Sequence, residues 1–289
     1  MLELSKHLLR APLILMGIVT IVLTSVTNLA AAELPGPVLT FDKREHRVMP
    51  DLGTVPRIRF LTTLDFPPFD FLDDQGRLSG FNVDLARELC DAMNVTARCQ
   101  IQALPYDELQ SALENHVGDA IIAGVSVTAD LRAKFDFSRP YAQMPARFLA
   151  SSKIAAAGAP GSAELASRKI GVVGATAHEA MLKTYFPALT PRTYQTRDAL
   201  LAALKSGEVD AVFGDGMQLA FWKESADAAK CCNFWGGPYY AREFLGEGMT
   251  IMTRKGEPLV AAFDHGLTEL VRDGQLNELF VKYFPPGLF

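Results

Sequence analysis

Several chemistries are missing from this 289-residue sequence. Its 28 Lys and Arg are outnumbered by 33 Asp and Glu, for a net charge of −5, and form no basic cluster of the kind that phosphate backbones require. Nucleic acid is excluded as a partner. No Cys or His spacing resembles a zinc site, so no metal is expected. The run "GVVGAT" departs from G-x-G-x-x-G, and no acidic residue is placed to hold a ribose, so no dinucleotide or other cofactor is expected. The run "GVSVT" lacks the second Gly of a nucleophile elbow, and no Ser-His-Asp order can be defended. Beyond the amino terminus, no apolar run is long enough to cross a bilayer. What remains is 49% hydrophobic and 21% charged, enough to build one large domain or two modest ones.

The amino terminus has its own grammar. Lys6 and Arg10 precede the apolar stretch "APLILMGIVTIVLTSV", and Ala30, Ala31 and Ala32 follow before Glu33. That order predicts a signal peptide over residues 1–32, removed on export. An uncleaved anchor is the alternative, because residues 11–32 carry no charge and match the ~20 residues a spanning helix needs. No Cys follows the apolar run, which argues against a lipid anchor. Both readings export the rest of the chain to the periplasm, where disulfides are permitted. Cys90 ends a predicted helix and Cys99 opens a predicted strand a few residues later, so a Cys90–Cys99 bridge is favoured over two buried thiols. The state of the adjacent Cys231 and Cys232 is open.

Residues 33–56 are rich in Pro and charge without sustained periodicity and are read as a linker or arm, with folding expected from Arg57. From there β-branched runs alternate with helical patterns, the order of α/β units around mainly parallel sheets. Strands are expected in "RIRFLTT", "CQIQAL", "DAIIAGV", "ARFLASS", "KIGVV", "PRTYQT", "DAVFGD" and "GEGMTIMTRK". Helices are expected in "FNVDLARELCDAM", "YDELQSALENH", "AHEAMLKTYF" and "RDALLAALKSG", the last ending on a Gly suited to a C-cap. A closing helical stretch carries Gly266 and Gly274, read as interruptions. One plan, amphipathic helix, Gly turn and Asp-Ala strand, occurs at 106–125 and again at 197–216. That repetition, with the small-residue excursion "SSKIAAAGAPGSAELASR", points to two lobes.

The ordered motifs "FPPF", "GFNVDLARELC", "GDAIIAGVSVT" leading to "FDFSRPY", "KIGVVGAT", "GEVDAVFGD" and "DGQLNELFVKYFP" cover residues 57–285. Together they resemble the periplasmic solute-binding proteins of the polar amino acid type, which feed ABC importers. The resemblance implies a type II, two-lobed α/β fold. Lobe one would be residues 57–148 plus 247–289 and lobe two 149–246, with hinge crossings at "RFLASS" and "GEGMTIM". It also implies a small-molecule ligand, an amino acid or similar zwitterion, captured by hinge closure, and a membrane permease as partner.

Such a ligand needs donors for a carboxylate, an acid for an ammonium and flat apolar walls. Pro67 and Pro68 stiffen the loop that presents Phe66 as a wall, while Phe69 and Phe71 read as core. Tyr106 stands where relatives place a second aromatic, with helix-start packing as the alternative. Gly124 permits close backbone approach, and Ser126 and Thr128 add hydroxyls. The clamping Arg of relatives falls at Leu131 here. Arg132, one residue on, is expected to take its place, or else to pair with Asp130 or Asp136 at the surface. Thr176, at a helix N-terminus suited to anions, is a ligand candidate or simply an N-cap. His178 reads as a first-turn surface residue. Asp215, at a strand end, matches the ammonium-binding acid, and Asp210 reads as structural. Thr63 joins the site in place of the Asp of relatives selective for basic side chains, which argues against a dedicated Lys, Arg or His carrier. Trp222, Trp235, Tyr239 and Tyr240 read as packing.

The resemblance also admits an exported dehydratase on the same fold, with Glu179 or Glu247 as general acid. A sensor or redox-associated binding domain is the remaining alternative, for which the altered clamp and the Cys231–Cys232 pair leave room. Binding without catalysis is the expectation.

Overall fold

The computed structural model describes residues 41–42, 44–285 and 288; the expected signal peptide (1–32) and the start of the arm lie outside them. The chain enters as an extended arm, but packing begins before Arg57. Phe41 and Leu52 are buried in the first core, and the Arg139 guanidinium lies 4.2 Å from the Phe41 ring centroid. The apolar residues of this Pro-rich stretch are too far apart to announce burial by periodicity.

Strand β1 (Ile58–Thr62) leads into a small antiparallel meander of β2 (Asp65–Phe66), β3 (Asp70–Leu72) and β4 (Leu78–Ser79). Helix α1 (Phe81–Ala92), β5 (Cys99–Ala103), α2 (Leu109–Glu114), β6 (Ala120–Ile121), α3 (Ala129–Lys134) and β7 (Phe135–Phe137) follow. The chain then enters a second sheet with β8 (Ala146–Ser151), α4 (Ser152–Ala155), α5 (Ser162–Ala166), β9 (Ile170–Val173), α6 (Ala177–Tyr185), β10 (Arg192–Tyr194), α7 (Arg197–Ser206), β11 (Ala211–Asp215), α8 (Gly216–Glu224), β12 (Cys232–Phe234) and α9 (Arg242–Leu245). It returns through β13 (Met252–Arg254), α10 (Leu259–Arg272) and α11 (Gln275–Tyr283).

The two large sheets follow one plan. The first has the order β5-β1-β6-β13-β7 and the second β10-β9-β11-β8-β12. In each, three neighbouring strands run parallel, and the returning or entering strand, β13 or β8, is antiparallel to its neighbours on both sides. Apolar clusters cover both faces of each sheet. This is the layered solution for strands whose two sides are both apolar, and β1 and β8 are buried over nearly their whole length. The crossing expected at "RFLASS" falls earlier, because its first five residues lie in β8 of the second sheet, paired to β11 and β12; the joining segments meet before it, where Ala142 bridges Met249.

Helix α10 buries Leu259, Ala262, Phe263, Gly266, Leu267 and Leu270, a stripe with the three-and-four spacing of a core-facing helix. Gly266 does not interrupt it. A Cβ there would lie 2.9 Å from Leu89 Cδ2 of α1, so this glycine serves a close helix crossing, and the break falls only at Gly274. Cys90 and Cys99 are bridged, as expected from their places at a helix end and a strand start. Cys231 and Cys232 are bridged to each other, leaving no free thiol among the described residues. None of the described helices is long and apolar enough to cross a membrane.

Candidate functional site

The site begins where β1 ends. Beyond Thr62 the chain turns through Thr63 and Leu64 into β2, and the β2–β3 turn carries Pro67 and Pro68. Phe66 remains 39% exposed, while Phe69 beneath it is buried. The two rings stack with centroids 4.8 Å apart, so the core holds Phe66 from behind and leaves one face free. The Gly124 backbone abuts the edge of the same ring. Gly124 has φ +69°, and a Cβ there would sit 2.7 Å from Phe66 Cε1, so the position excludes a side chain on conformation and on space.

These elements enclose a cavity of about 200 Å³ lined by Thr63, Asp65, Phe66, Tyr106, Ala123 and Gly124. Four expected site residues are thereby brought together. Tyr106 opens the short turn before α2 and is 53% exposed. Thr63 is buried, and its Oγ1 has no hydrogen-bond partner. Asp65 was missed in the sequence; only the β2 turn shows that residues 63 and 65 reach one cavity. Ser126 is exposed and not among the lining residues.

Beneath the loop is a buried polar chain. Asp70 Oδ2 accepts from Asn82 Nδ2 at 2.7 Å, and Asn82 Oδ1 accepts from the Tyr141 hydroxyl at 2.8 Å. Asp70 Oδ1 contacts Thr62 Oγ1, which also lies 2.8 Å from the Ile122 carbonyl. Burial pushes the Asp70 carboxyl up to about 7, against the pull of the Thr62 and Asn82 bonds and with a smaller push from Asp65. The geometry suits the protonated acid, which donates to Thr62 while Thr62 donates to Ile122.

Arg132 is engaged elsewhere. Its guanidinium pairs with Glu247 on the returning segment, rather than with Asp130 or Asp136, and lies 5.6 Å from the Phe137 ring centroid. Arg242 approaches the same Glu247 at 3.7 Å. This contact spans more than a hundred residues of sequence and leaves no local signal. Thr128, four residues earlier, caps α3 by accepting from the Leu131 N–H.

The second lobe offers three groups. Thr176 caps α6, accepting from the Glu179 N–H at 3.2 Å and donating to the Val173 carbonyl at 2.8 Å, while Glu179 reaches back to the Ala175 N–H at 2.7 Å. This differs from the capping box in that the glutamate reaches the N–H one residue before the cap, and the bond to Val173 commits the Thr176 hydroxyl hydrogen. Asp215 ends β11 and caps α8, with Oδ1 accepting from the Gln218 N–H at 2.8 Å. His178 is not a surface residue. It is half-buried, edge-on to Phe213 at 6.4 Å, and burial pushes its imidazole pKa down while the Asp215 carboxylate opposes that. Asp210 accepts from the Lys169 N–H at 2.9 Å, a structural role, and Trp235 is buried in the core.

A larger cavity, about 750 Å³, lies between Pro67–Pro68 and helices α7 and α8, where Phe221 and Trp222 contribute. None of the expected site residues lines it, whereas four of them line the smaller cavity. Among the described residues no group of three or more His, Cys, Asp or Glu is placed to hold a metal.

Two sheets of one plan, joined by two crossing segments, define a type II periplasmic binding protein. More particularly, the family of bacterial extracellular solute-binding proteins, family 3, matches residues 58–286, and the chain belongs to it. It is thus a solute-binding protein of the kind that closes its lobes on a solute and serves the permease of an ABC importer. The chain is 29% identical over 239 residues to the L-arginine-binding protein of Pseudomonas aeruginosa, covering 82% of this chain and 91% of that one. It is 28% identical over 225 residues to an L-cystine-binding protein of Escherichia coli, covering 76% and 79%. An ancestral cyclohexadienyl dehydratase shares the fold, with a TM-score of 0.64 at 20% identity, covering 80% of this chain and 94% of that one.

Proposed function

We propose that this protein, exported to the periplasm by its amino-terminal segment, binds an amino acid between its lobes and passes it to its importer without chemical change. The observation that carries the reading is the cavity formed by Thr63, Phe66, Tyr106 and Gly124 on one lobe, with the Asp215 carboxylate at a strand end of the other. An aromatic face and an orphaned hydroxyl on one side, with an acid for an ammonium on the other, suit a zwitterion bearing a side chain. The relatives named for arginine and cystine support the same class.

A dehydratase needs an acid that holds its proton at neutral pH. Glu179 does not: its bond with Lys183, followed by that with the Ala175 N–H, holds it below the usual carboxylate range. Glu247 is paired with Arg132. A thermal-shift screen of amino acids tests the proposal, since a ligand at ~100 times its Kd adds about 2.7 kcal/mol of stability. Asp215→Asn should weaken the ligand so found by about 2–5 kcal/mol. Unchanged affinity would remove Asp215 from the site, and turnover of prephenate or arogenate by the purified protein would replace the reading with catalysis.

A further inference from the structure

We propose that the Cys231–Cys232 bridge is a reversible modification site, opened by thiol–disulfide exchange with a dithiol, and that opening it releases the turn at 225–230, which forms one end of the large cavity. The inference does not depend on which solute the protein carries.

Adjacent cysteines make an unusual bridge. Their Cα atoms are 3.7 Å apart, against 6.3 Å for Cys90 and Cys99, whereas most disulfides span about 4.4–6.8 Å and those outside that range are more easily reduced. Disulfides stabilise a fold mainly through the loop they close, and this one closes no loop beyond a single peptide unit. Global stability therefore does not account for it. What it fixes is local, because the ring runs through the backbone itself.

The backbone just before the bridge supplies the second observation. Ala229 and Lys230 have φ of +48° and +58° and are, among the described residues, the only adjacent non-glycine pair in the left-handed region. Such residues keep that conformation only where their surroundings hold it. Both are exposed, so packing does little of the holding. The Ala229 N–H donates to the Ala226 carbonyl at 3.1 Å, the Cys231 N–H to the Ala228 carbonyl at 2.9 Å, and the Ser152 N–H to the Cys231 carbonyl at 2.8 Å. The ring ties the end of this turn to Cys232, which is buried and paired with Ser151 of β8.

Cys231 is half-buried whereas Cys232 is 2% exposed, so an incoming thiolate meets the Cys231 sulfur. A mixed disulfide forms there as the old S–S bond breaks, and the Cys232 sulfur leaves as a thiolate that takes up a proton. The second thiol of the dithiol then attacks its own sulfur in the mixed disulfide and displaces Cys231, which is protonated in turn. The protein gains a pair of electrons and a pair of protons, and the dithiol becomes a disulfide. An oxidised dithiol reverses both steps. Ser225 and Asp227 of the turn line the cavity of about 750 Å³ that Pro67 and Pro68 bound from the other lobe, so the state of the bridge reshapes one wall of that space.

Reduction of the folded, purified protein with graded dithiothreitol, followed by alkylation with N-ethylmaleimide and peptide mass mapping, tests the inference. Cys231 and Cys232 should be alkylated at dithiothreitol concentrations at least about tenfold below those that expose Cys90 and Cys99. Phenylarsine oxide, which requires two neighbouring thiols, should block that alkylation. On this selective reduction, amide hydrogen exchange at 226–231 should quicken at least about tenfold while helix α1 is unchanged, and the double substitution Cys231→Ser with Cys232→Ser should exchange like the reduced protein. Alkylation of Cys231 and Cys232 without reductant, or no earlier than that of Cys90 and Cys99, would overturn the inference, as would a turn whose exchange ignores the state of the bridge. The alkylation order and the exchange rates are read on the unaltered protein without solute, so they decide this inference separately from the amino acid reading.

Discussion

Replacing Asp70 by Asn should abolish a pH dependence of stability that the unaltered protein carries. In the unfolded chain this carboxyl titrates near its ordinary value of 3.8, whereas burial holds it at about 7 in the folded state. Below 3.8 both states are protonated and Asp70 imposes no penalty. Between the two values the unfolded chain releases the proton and the folded chain keeps it, so stability falls as pH rises. Above about 7 the loss is complete. At about 1.4 kcal/mol per pKa unit, the gap corresponds to a loss of order 4 kcal/mol across the window. The Asp70→Asn side chain would reproduce the protonated acid, its amide donating to Thr62 Oγ1 and its carbonyl accepting from Asn82, with Thr62 still donating to the Ile122 carbonyl. Asp65 and Tyr141 are the other titratable groups acting here, and both remain in the variant. Urea unfolding of both proteins at intervals from pH 4.5 to 8 reads the difference. The two curves should lie closest at the acid end, where about 1 kcal/mol of the loss has already set in, and diverge toward neutrality, the variant being the more stable. Parallel curves, or a variant less stable by the same amount at every pH, would refute the account of Asp70 as a protonated group.

Three other perturbations have definite expectations. Gly124→Ala combines positive φ with a Cβ 2.7 Å from the Phe66 ring; it should cost about 1–3 kcal/mol in denaturant unfolding and weaken solute binding, and a neutral result would mean that the ring moves aside freely. Arg132→Ala should leave solute affinity within about threefold and change stability by less than about 1 kcal/mol, because its pair with Glu247 is partly exposed; a hundredfold loss of affinity would identify it as the carboxylate clamp. Joint replacement of Cys90 and Cys99 by Ala, which opens a bridge with a sequence separation of 9, should cost about 2.5 kcal/mol in unfolding, and an unchanged midpoint under oxidising conditions would show that the bridge does not form.

The sequence announced the fold where structure is local. Helix α7 is written in its apolar spacing, its Thr196 cap and the left-handed Gly207 at its end, and the eight expected strands all have counterparts in the two sheets. What escaped depended on partners far along the chain. Strands β7 and β12 exist because β13 and β8 lie beside them. Gly266 read as a breaker because its use is the nearness of Leu89 on another helix. The site divides the same way. Phe66 and Gly124 could be named from their motifs, although that they touch could not. Asp65 lay one residue from a named position and was passed over because a carboxylate in a charged turn resembles any solvated one. His178 passed as a surface residue because its burial depends on Phe213 and Asp215 folding beneath it.

The pairing of the two lobe-joining segments has a mechanical consequence. A single strap would let one half swivel about the other, presenting the solute with a continuum of orientations to sort through. Here two straps lie abreast and are fastened by the Tyr141-to-Met249 and Met249-to-Ala142 backbone hydrogen bonds of 2.9 and 2.8 Å. Swivelling would shear those bonds, whereas flexing both straps together would keep them. The halves are thus left with essentially one way to travel, like covers on a spine, and a guest that finds one cover open has only a single arc to wait for.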